Sequence, residues 1–306
     1  MVKLEESQSP MAATLGRGTR YFEIESEVAG ARYAVWVTTP VRYGSEDISY
    51  PVIYAPDGNG MAGIMPRLSM LRDDPINPHV PFISVCVGYI GEEAEQGLAV
   101  RARDLLPPNE PTTVGDEAEF VDGLVKSGFL DEQGAKLYWF NLKNPAGDKF
   151  LKFLETELHP LIASEYRVDE SALGLFGHSY GGLFASWVAS QRSIFRRICA
   201  SSPGILPGVS KVFESYDAEY EAGTDYSDRM LHVAIAAKEM TDPSTYVPLV
   251  GLGTGEFFGR LAQTPLKGLQ ISTHIINDES HFTVNYVALA SYLRTCYGAA
   301  EKTGHI

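Results

Sequence analysis

Residues 177–182 read Gly-His-Ser-Tyr-Gly-Gly, with the apolar run ALGLF before them and LFASWVAS after. Gly177-x-Ser179-x-Gly181 between a strand and a helix puts a hydroxyl on a sharp strand-to-helix turn. The pentapeptide alone is a weak signal, because glycine and serine are common. Its strand–turn–helix setting makes it specific. Glycines two residues to either side remove side chains that would strike neighbouring backbone. The helix that begins here aims its N-terminal dipole at an oxygen that gains negative charge. The chemistry this implies is nucleophilic attack by Ser179 on a carbonyl.

A serine hydroxyl needs a base, and the base needs an orienting acid. In this setting the chain order is serine, acid, histidine. Of seven histidines, His232, His274, His281 and His305 follow Ser179. His232 and His274 fall in expected strands and read as packed or edge residues, and His305 is near the C-terminus. His281, in NDESHF, lies between the last expected strand and the last helix, where the base belongs. The acid should follow the strand LHVAIAA. Glu239 is nearest its end and is preferred; Asp242, Asp278 and Glu279 are alternatives, and a carboxylate's common fate is simple surface charge. The oxyanion needs two backbone N–H groups, expected from Tyr180 and from Asn59 in the Asp57-Gly58-Asn59-Gly60 loop.

That loop also spells Gly58-x-Gly60-x-x-Gly63. A dinucleotide site would place the first glycine at the strand end and a carboxylate about 20 residues on. Here Pro56-Asp57 intervene and FISVCVGY ends without a carboxylate, so no nucleotide cofactor is expected. No H-E-x-x-H or paired-cysteine spacing suggests a metal.

The elements that must position these groups alternate. RYFEIESE and RYAVWVTTP form a hairpin. YPVIYAPDG, VPFISVCVGYI, ALGLFG, RRICASS, LHVAIAA and QISTHII read as strands. Helices are expected over 61–72, 148–166 with a kink at Pro160, 183–192, and FTVNYVALASYLRTCYG. Such alternation predicts a mainly parallel sheet with helices on both faces. Residues 1–17 read as a loose tail and 18–300 as one domain. Two long excursions, 104–147 and 204–229, are candidates for a cap or lid; for 214–229 a solvated surface helix is an equal reading. Tyr138-Trp139-Phe140 in the first, with Tyr216, Tyr220 and Tyr226, hint at a large or aromatic substrate, although aromatics more often pack a core.

The chain has 306 residues and a formal net charge of −14. An acidic mean field opposes nucleic acid and anionic membrane surfaces. Arg101 with Arg103, and Arg192 with Arg196 and Arg197, are the local basic clusters; the second reads as surface charge. Cys86, Cys199 and Cys296 are widely spaced and read as buried free thiols. MVKLEESQSPMAATLG has no apolar core of a signal peptide and no run is long enough to span a bilayer, so a soluble, cytoplasmic protein is expected.

YPVIYAPDGNG, Arg101-x-x-Asp104-Leu-Leu-Pro, GDKFLKFLETELHPLIASEYRVD, LFGHSYGGLFA, the serine-proline of SSPG and DESHF occur in one order. Over most of residues 48–297 the chain thereby resembles the esterase D-like "putative esterase" family, whose members include siderophore trilactone hydrolases, feruloyl esterases and mycolyltransferases. The resemblance implies an α/β-hydrolase fold and serine acyl chemistry with no cofactor. It maps the nucleophile onto Ser179, the base onto His281 and the oxyanion loop onto Asp57-Gly58-Asn59. In the trilactone hydrolases an arginine in an Arg-x-x-Asp-x-Thr-Pro-like stretch helps bind the ligand; Arg101 matches it, but RARDLLPP lacks the threonine. That branch also tends to carry a tryptophan after the serine-proline, which SSPGILPG lacks. The expected activity is hydrolysis of a small-molecule carboxylic ester or lactone through an acyl-enzyme on Ser179. An acyltransferase or thioesterase would use the same triad, and a non-catalytic binding module is the remote alternative.

Overall fold

The computed structural model describes residues 18–74, 76–243 and 245–299, so the expected tail at 1–17 and His305 lie outside the described residues. Eight strands form one sheet in the order β1-β2-β4-β3-β5-β6-β7-β8. They are β1 (Thr19–Ser26), β2 (Ala31–Thr38), β3 (Val52–Ala55), β4 (Ile83–Tyr89), β5 (Gly174–His178), β6 (Arg197–Ser201), β7 (Met230–Ala236) and β8 (Gln270–Ile276). β1 pairs antiparallel with β2 from Thr19↔Thr38 to Ser26↔Ala31, and β2 pairs antiparallel with β4. Every other pairing is parallel. This is the α/β-hydrolase architecture, with the N-terminal hairpin at one edge.

The alternation of side chains along each strand feeds two cores. Tyr33, Val35 and Val37 of β2, Val52 and Tyr54 of β3, and Leu175 of β5 face one layer. There they meet Phe150, Phe153, Leu154, Leu158, Phe184, Val188, Phe213 and Phe257. Ala34, Trp36, Ile53, Ala55, Phe176 and Cys199 face the other, against Met61, Met65, Leu289, Tyr292 and Tyr297. Central strands covered on both faces need apolar residues at every position. β3 and β4 are buried throughout, as the unbroken run VPFISVCVGYI predicts. All three cysteines are buried free thiols.

The helices depart from expectation in instructive ways. The segment 61–72 is two single turns, Gly58–Met61 and Met65–Leu68, followed by the 3-10 turn Ser69–Asp73. The expected kink at Pro160 takes the form of a π turn, Leu154–Leu158, joining Gly147–Phe153 to His159–Glu165. Proline cannot donate its backbone hydrogen bond, and a widened turn relieves its ring's clash with the preceding carbonyls. The helix after β5 runs Tyr180–Val188, starting three residues before the expected span. Both excursions contain helices. The first holds Glu117–Lys126, capped by Asp116, and Glu132–Lys143, capped by Asp131. The second holds Lys211–Ala222, capped by Ser210 and ended by left-handed Gly223. Its Tyr216 and Tyr226 are core residues, hydrogen-bonded to the Thr264 and Ser190 carbonyls, so their expected link to substrate does not hold. The helix Leu252–Gln263 is absent from the sequence-based expectation, because Gly253, Gly255 and Gly259 depress its propensity.

Candidate active site

β5 ends at His178, and the Tyr180–Val188 helix begins two residues later. Ser179 makes the turn at φ 60°, ψ −115°, a strained conformation for a residue with a side chain. Gly177 and Gly182 are sterically required, whereas a Cβ at Gly181 would meet only the Pro56 and Asp57 side chains, at 3.3 and 3.4 Å, and not the backbone expected there. A Cβ at Gly177 would sit 1.9 Å from the Gly181 carbonyl oxygen, and one at Gly182 would sit 2.4 Å from that of Ser201. The Ser179 N–H donates to the Ser201 carbonyl at 3.0 Å, tying the turn to the end of β6.

Ser179 Oγ lies 3.1 Å from His281 Nε2, and His281 Nδ1 lies 2.5 Å from Glu239 Oε1. His281 stands on the loop between β8 and the helix Val284–Tyr297. Glu239 stands on the 3-10 turn Ala237–Met240 directly after β7 and is fully buried. A buried carboxylate needs donors. Oε2 accepts from the Ala236 N–H at 2.8 Å and from Ser202 Oγ at 2.7 Å, leaving Oε1 for the imidazole. A carboxylate at Oε1 fixes the proton on Nδ1 and turns the Nε2 lone pair to the serine hydroxyl. Of the four acids the sequence left open, Glu239 makes this hydrogen bond. Asp278 is exposed on a left-handed residue at φ 63°.

Three aromatic or imidazole rings hold His281. Tyr246 stacks on it with centroids 5.0 Å apart, Phe282 meets it edge-on, and His178 packs at 4.8 Å. Burial, then the neighbouring His281 and Arg101, push the His178 pKa down to about 3, so His178 stays neutral beside the pair. His178 Nδ1 is 3.0 Å from Ser201 Oγ.

The Asp57-Gly58-Asn59 loop follows β3, and Asn59 is in the first turn of Gly58–Met61. Tyr180 opens its own helix. First-turn N–H groups have no carbonyl behind them within the helix, so both are available as donors. The Asn59 side chain binds the Tyr89 backbone on both sides, accepting from its N–H at 2.8 Å and donating to its carbonyl at 3.0 Å.

Arg101, which the resemblance links to ligand, stands on the helix Gly97–Leu105; its Nε and Nη2 grip both oxygens of Asp57 at 2.8 and 2.6 Å, and Nη2 also donates to the His178 carbonyl at 3.2 Å. Its side chain is 16% exposed. Burial lowers the guanidinium pKa, but the Asp57 carboxylate outweighs this and holds it above its ordinary value. The guanidinium lies 5.3 Å from the centroid of the Tyr180 ring, whose hydroxyl is 2.5 Å from that of Tyr138. Tyr138 comes from Glu132–Lys143, so the first excursion reaches the serine turn. Neither the Asp57–Arg101 pair nor the Ser202–Glu239 contact has a sequence signature. Their members are far apart in the chain and meet only in the fold.

Among the described residues no cluster of three or more histidine, cysteine or acidic side chains is arranged to hold a metal ion. No helix among them is long and apolar enough to cross a membrane.

The chain is similar to known proteins along most of its length. It is 25% identical over 281 residues to the ferri-bacillibactin esterase BesA of Bacillus subtilis, covering 90% of this chain and 89% of that one. It is 30% identical over 184 residues to an apo-salmochelin esterase of Escherichia coli, covering 59% of this chain and 50% of that one. Among solved structures, the BES protein from Bacillus cereus superposes with a TM-score of 0.71 at 23% identity, covering 96% and 99% of the two chains. The siderophore hydrolase EstB from Aspergillus nidulans gives 0.68 at 20% identity, covering 95% and 98%. The family model described as "Putative esterase" matches residues 120–275, just over half of the chain, a span that includes both the Ser179 turn and Glu239. A chain with this fold and this match belongs to the "Putative esterase" family, and it is a carboxylic ester hydrolase.

Proposed function

We propose that the protein hydrolyses a small-molecule ester or lactone through an acyl-enzyme on Ser179, with His281 as base and Glu239 as its orienting acid. The observation that carries this is the continuous hydrogen-bonded line from Ser179 Oγ through the imidazole to a buried carboxylate. Ser179 Oγ attacks the ester carbonyl carbon as its proton passes to His281 Nε2. The negative oxygen is held by the Asn59 and Tyr180 N–H groups. The carbon–alkoxide bond then breaks as His281 returns the proton to the leaving alcohol. A water molecule, giving its proton to His281, attacks the acyl carbon and releases the acid and the free serine. Such backbone donors are each worth about 10²–10³ in turnover.

Siderophore-type esters are the first substrate class to test, because two relatives carry ferri-bacillibactin and apo-salmochelin in their names. The aromatic rings near the serine, Tyr180 with its partner Tyr138 and the Tyr246 and Phe282 rings against His281, fit an aryl-bearing ester. The test is a panel of small aryl esters, catecholate macrolactones and feruloyl esters, run on the parent, Ser179→Ala and His281→Ala. Both variants are expected to fold and to lose turnover on every ester the parent cuts. Full activity in Ser179→Ala would overturn the mechanism, and preference for a simple aryl ester over every macrolactone would overturn the substrate class.

A further inference from the structure

An oxyanion hole works only if its donors converge on one point, and here they come from two separate loops. Asn59 follows β3 and Tyr180 follows β5. Arg101 belongs to neither loop and touches both. Its fork holds Asp57, two residues before Asn59, and the same Nη2 reaches the carbonyl of His178, two residues before Tyr180.

The loop it grips is also held from the far side. There Asn59 brackets the Tyr89 peptide, and the backbones are in close contact: a Cβ at Gly58 would meet the Val87 carbonyl carbon at 2.6 Å, and one at Gly88 would meet Asn59 N at 2.8 Å. Asp57 itself has φ 59°, a left-handed conformation that costs energy in any residue but glycine. Its carbonyl accepts the Gly60 and Met61 N–H groups, so its backbone sets where the Gly58–Met61 turn begins. Its carboxylate is the handle by which Arg101 holds that backbone in place. A bidentate arginine–carboxylate pair fixes orientation as well as distance. Because Asp57 neutralises it, the guanidinium presents little net charge to an anionic substrate.

We propose that Arg101 is a positioning residue, a strut that sets the Asn59 N–H relative to the Tyr180 N–H, and not an anion receptor for the substrate. The proposal rests on the oxyanion assignment made above.

The test uses Arg101→Gln, Arg101→Lys, Asp57→Asn and the double variant Asp57→Asn/Arg101→Gln. Each is assayed on a neutral aryl ester and on an aryl ester carrying a carboxylate, with turnover expressed per site titrated by a fluorophosphonate. A boronic acid that forms a tetrahedral, oxyanion-like adduct supplies the second readout. Arg101→Gln is expected to lower kcat about 10–10²-fold on both esters, less than outright loss of a donor, with KM within about threefold. Boronate affinity should fall in step with kcat. Asp57→Asn should match it, the double variant should be no worse than either single one, and lysine should recover only part. If Arg101→Gln yields no titratable sites, Asp57→Asn carries the same comparison. The proposal is overturned if neutral-ester kcat stays within about twofold, or if the loss is confined to KM for the anionic ester. Ser179→Ala on the same two esters reports separately on the acyl-enzyme reading, since activity surviving there sinks that reading whatever Arg101 does.

Discussion

Glu239→Gln keeps the shape of the side chain and exchanges one oxygen for NH₂, so its effect depends on which oxygen is lost. Oε2 faces the Ala236 N–H at 2.8 Å and Ser202 Oγ at 2.7 Å, and Oε1 faces His281 Nδ1 at 2.5 Å. The serine hydroxyl can rotate to suit either group, but the backbone N–H cannot. An NH₂ placed against it, in a fully buried position, would leave two donors facing each other, at a cost of about 1–3 kcal/mol. The amide therefore keeps its oxygen at Oε2 and presents NH₂ to His281. Nδ1 must then offer a lone pair, which moves the imidazole proton to Nε2. A protonated Nε2 cannot accept from Ser179. Imposing the wrong tautomer on a triad of this kind costs about 10⁴ in kcat, or about 5.4 kcal/mol of transition-state stabilisation. Initial rates on an aryl ester, normalised to folded protein by near-UV circular dichroism, give the number. Asp242→Asn, Asp278→Asn and Glu279→Gln should remain within a few-fold of the parent. A Glu239→Gln enzyme that keeps a tenth or more of parental kcat would refute the tautomer reasoning and reopen the choice of acid.

Three other consequences concern stability. Gly177→Ala forces a methyl to 1.9 Å from the Gly181 oxygen and should cost several kcal/mol, seen as lost soluble yield or a lower urea midpoint. Gly255→Ala, in Leu252–Gln263 with nothing within 4 Å of the added methyl, should instead gain up to about 1 kcal/mol. Burial, then His274 and Arg294, push the pKa of His232 down from 6.5 to about 4. The unfolded chain therefore takes up a proton that the folded one refuses. The associated stability is fully present above about pH 6.5 and is lost as pH falls toward 4, amounting to about 2 kcal/mol at pH 5. Urea unfolding at pH 7.5 and 5.0 should show a smaller drop for His232→Asn than for the parent, and equal drops would contradict the assignment.

Much of the frame was legible because it is written in local patterns. Near-continuous apolar runs such as RYAVWVTTP and YPVIYAP gave strands within a residue or two, since a two-sided core demands that pattern of any chain that builds it. The Ser179 turn was legible because Gly177 is a steric necessity at a strand–turn–helix junction. His281 followed from chain order and from its loop position. Leu252–Gln263 escaped because three glycines contradict its helicity locally while packing of Phe257 and Leu261 enforces it. The excursion 104–147 read as irregular because its two short helices have their caps, Asp116 and Asp131, among polar residues that resemble loop.

By itself the sequence determined the fold class, the serine on its strained turn and the short set of groups that could serve it, because each depends on residue type and order along the chain. Only the tertiary structure decided which carboxylate meets the imidazole. The sequence preferred Glu239 but left three other acids open, and the structure brings to the imidazole the one that β7 delivers, fully buried, against the Ala236 N–H and the Ser202 hydroxyl. The same holds for Arg101. The resemblance implies a ligand contact for it, and its partner in the fold, Asp57, lies on a different strand's loop. Pairing across distant segments is set by how the strands are ordered in the sheet, and that order is not contained in any local stretch of the chain.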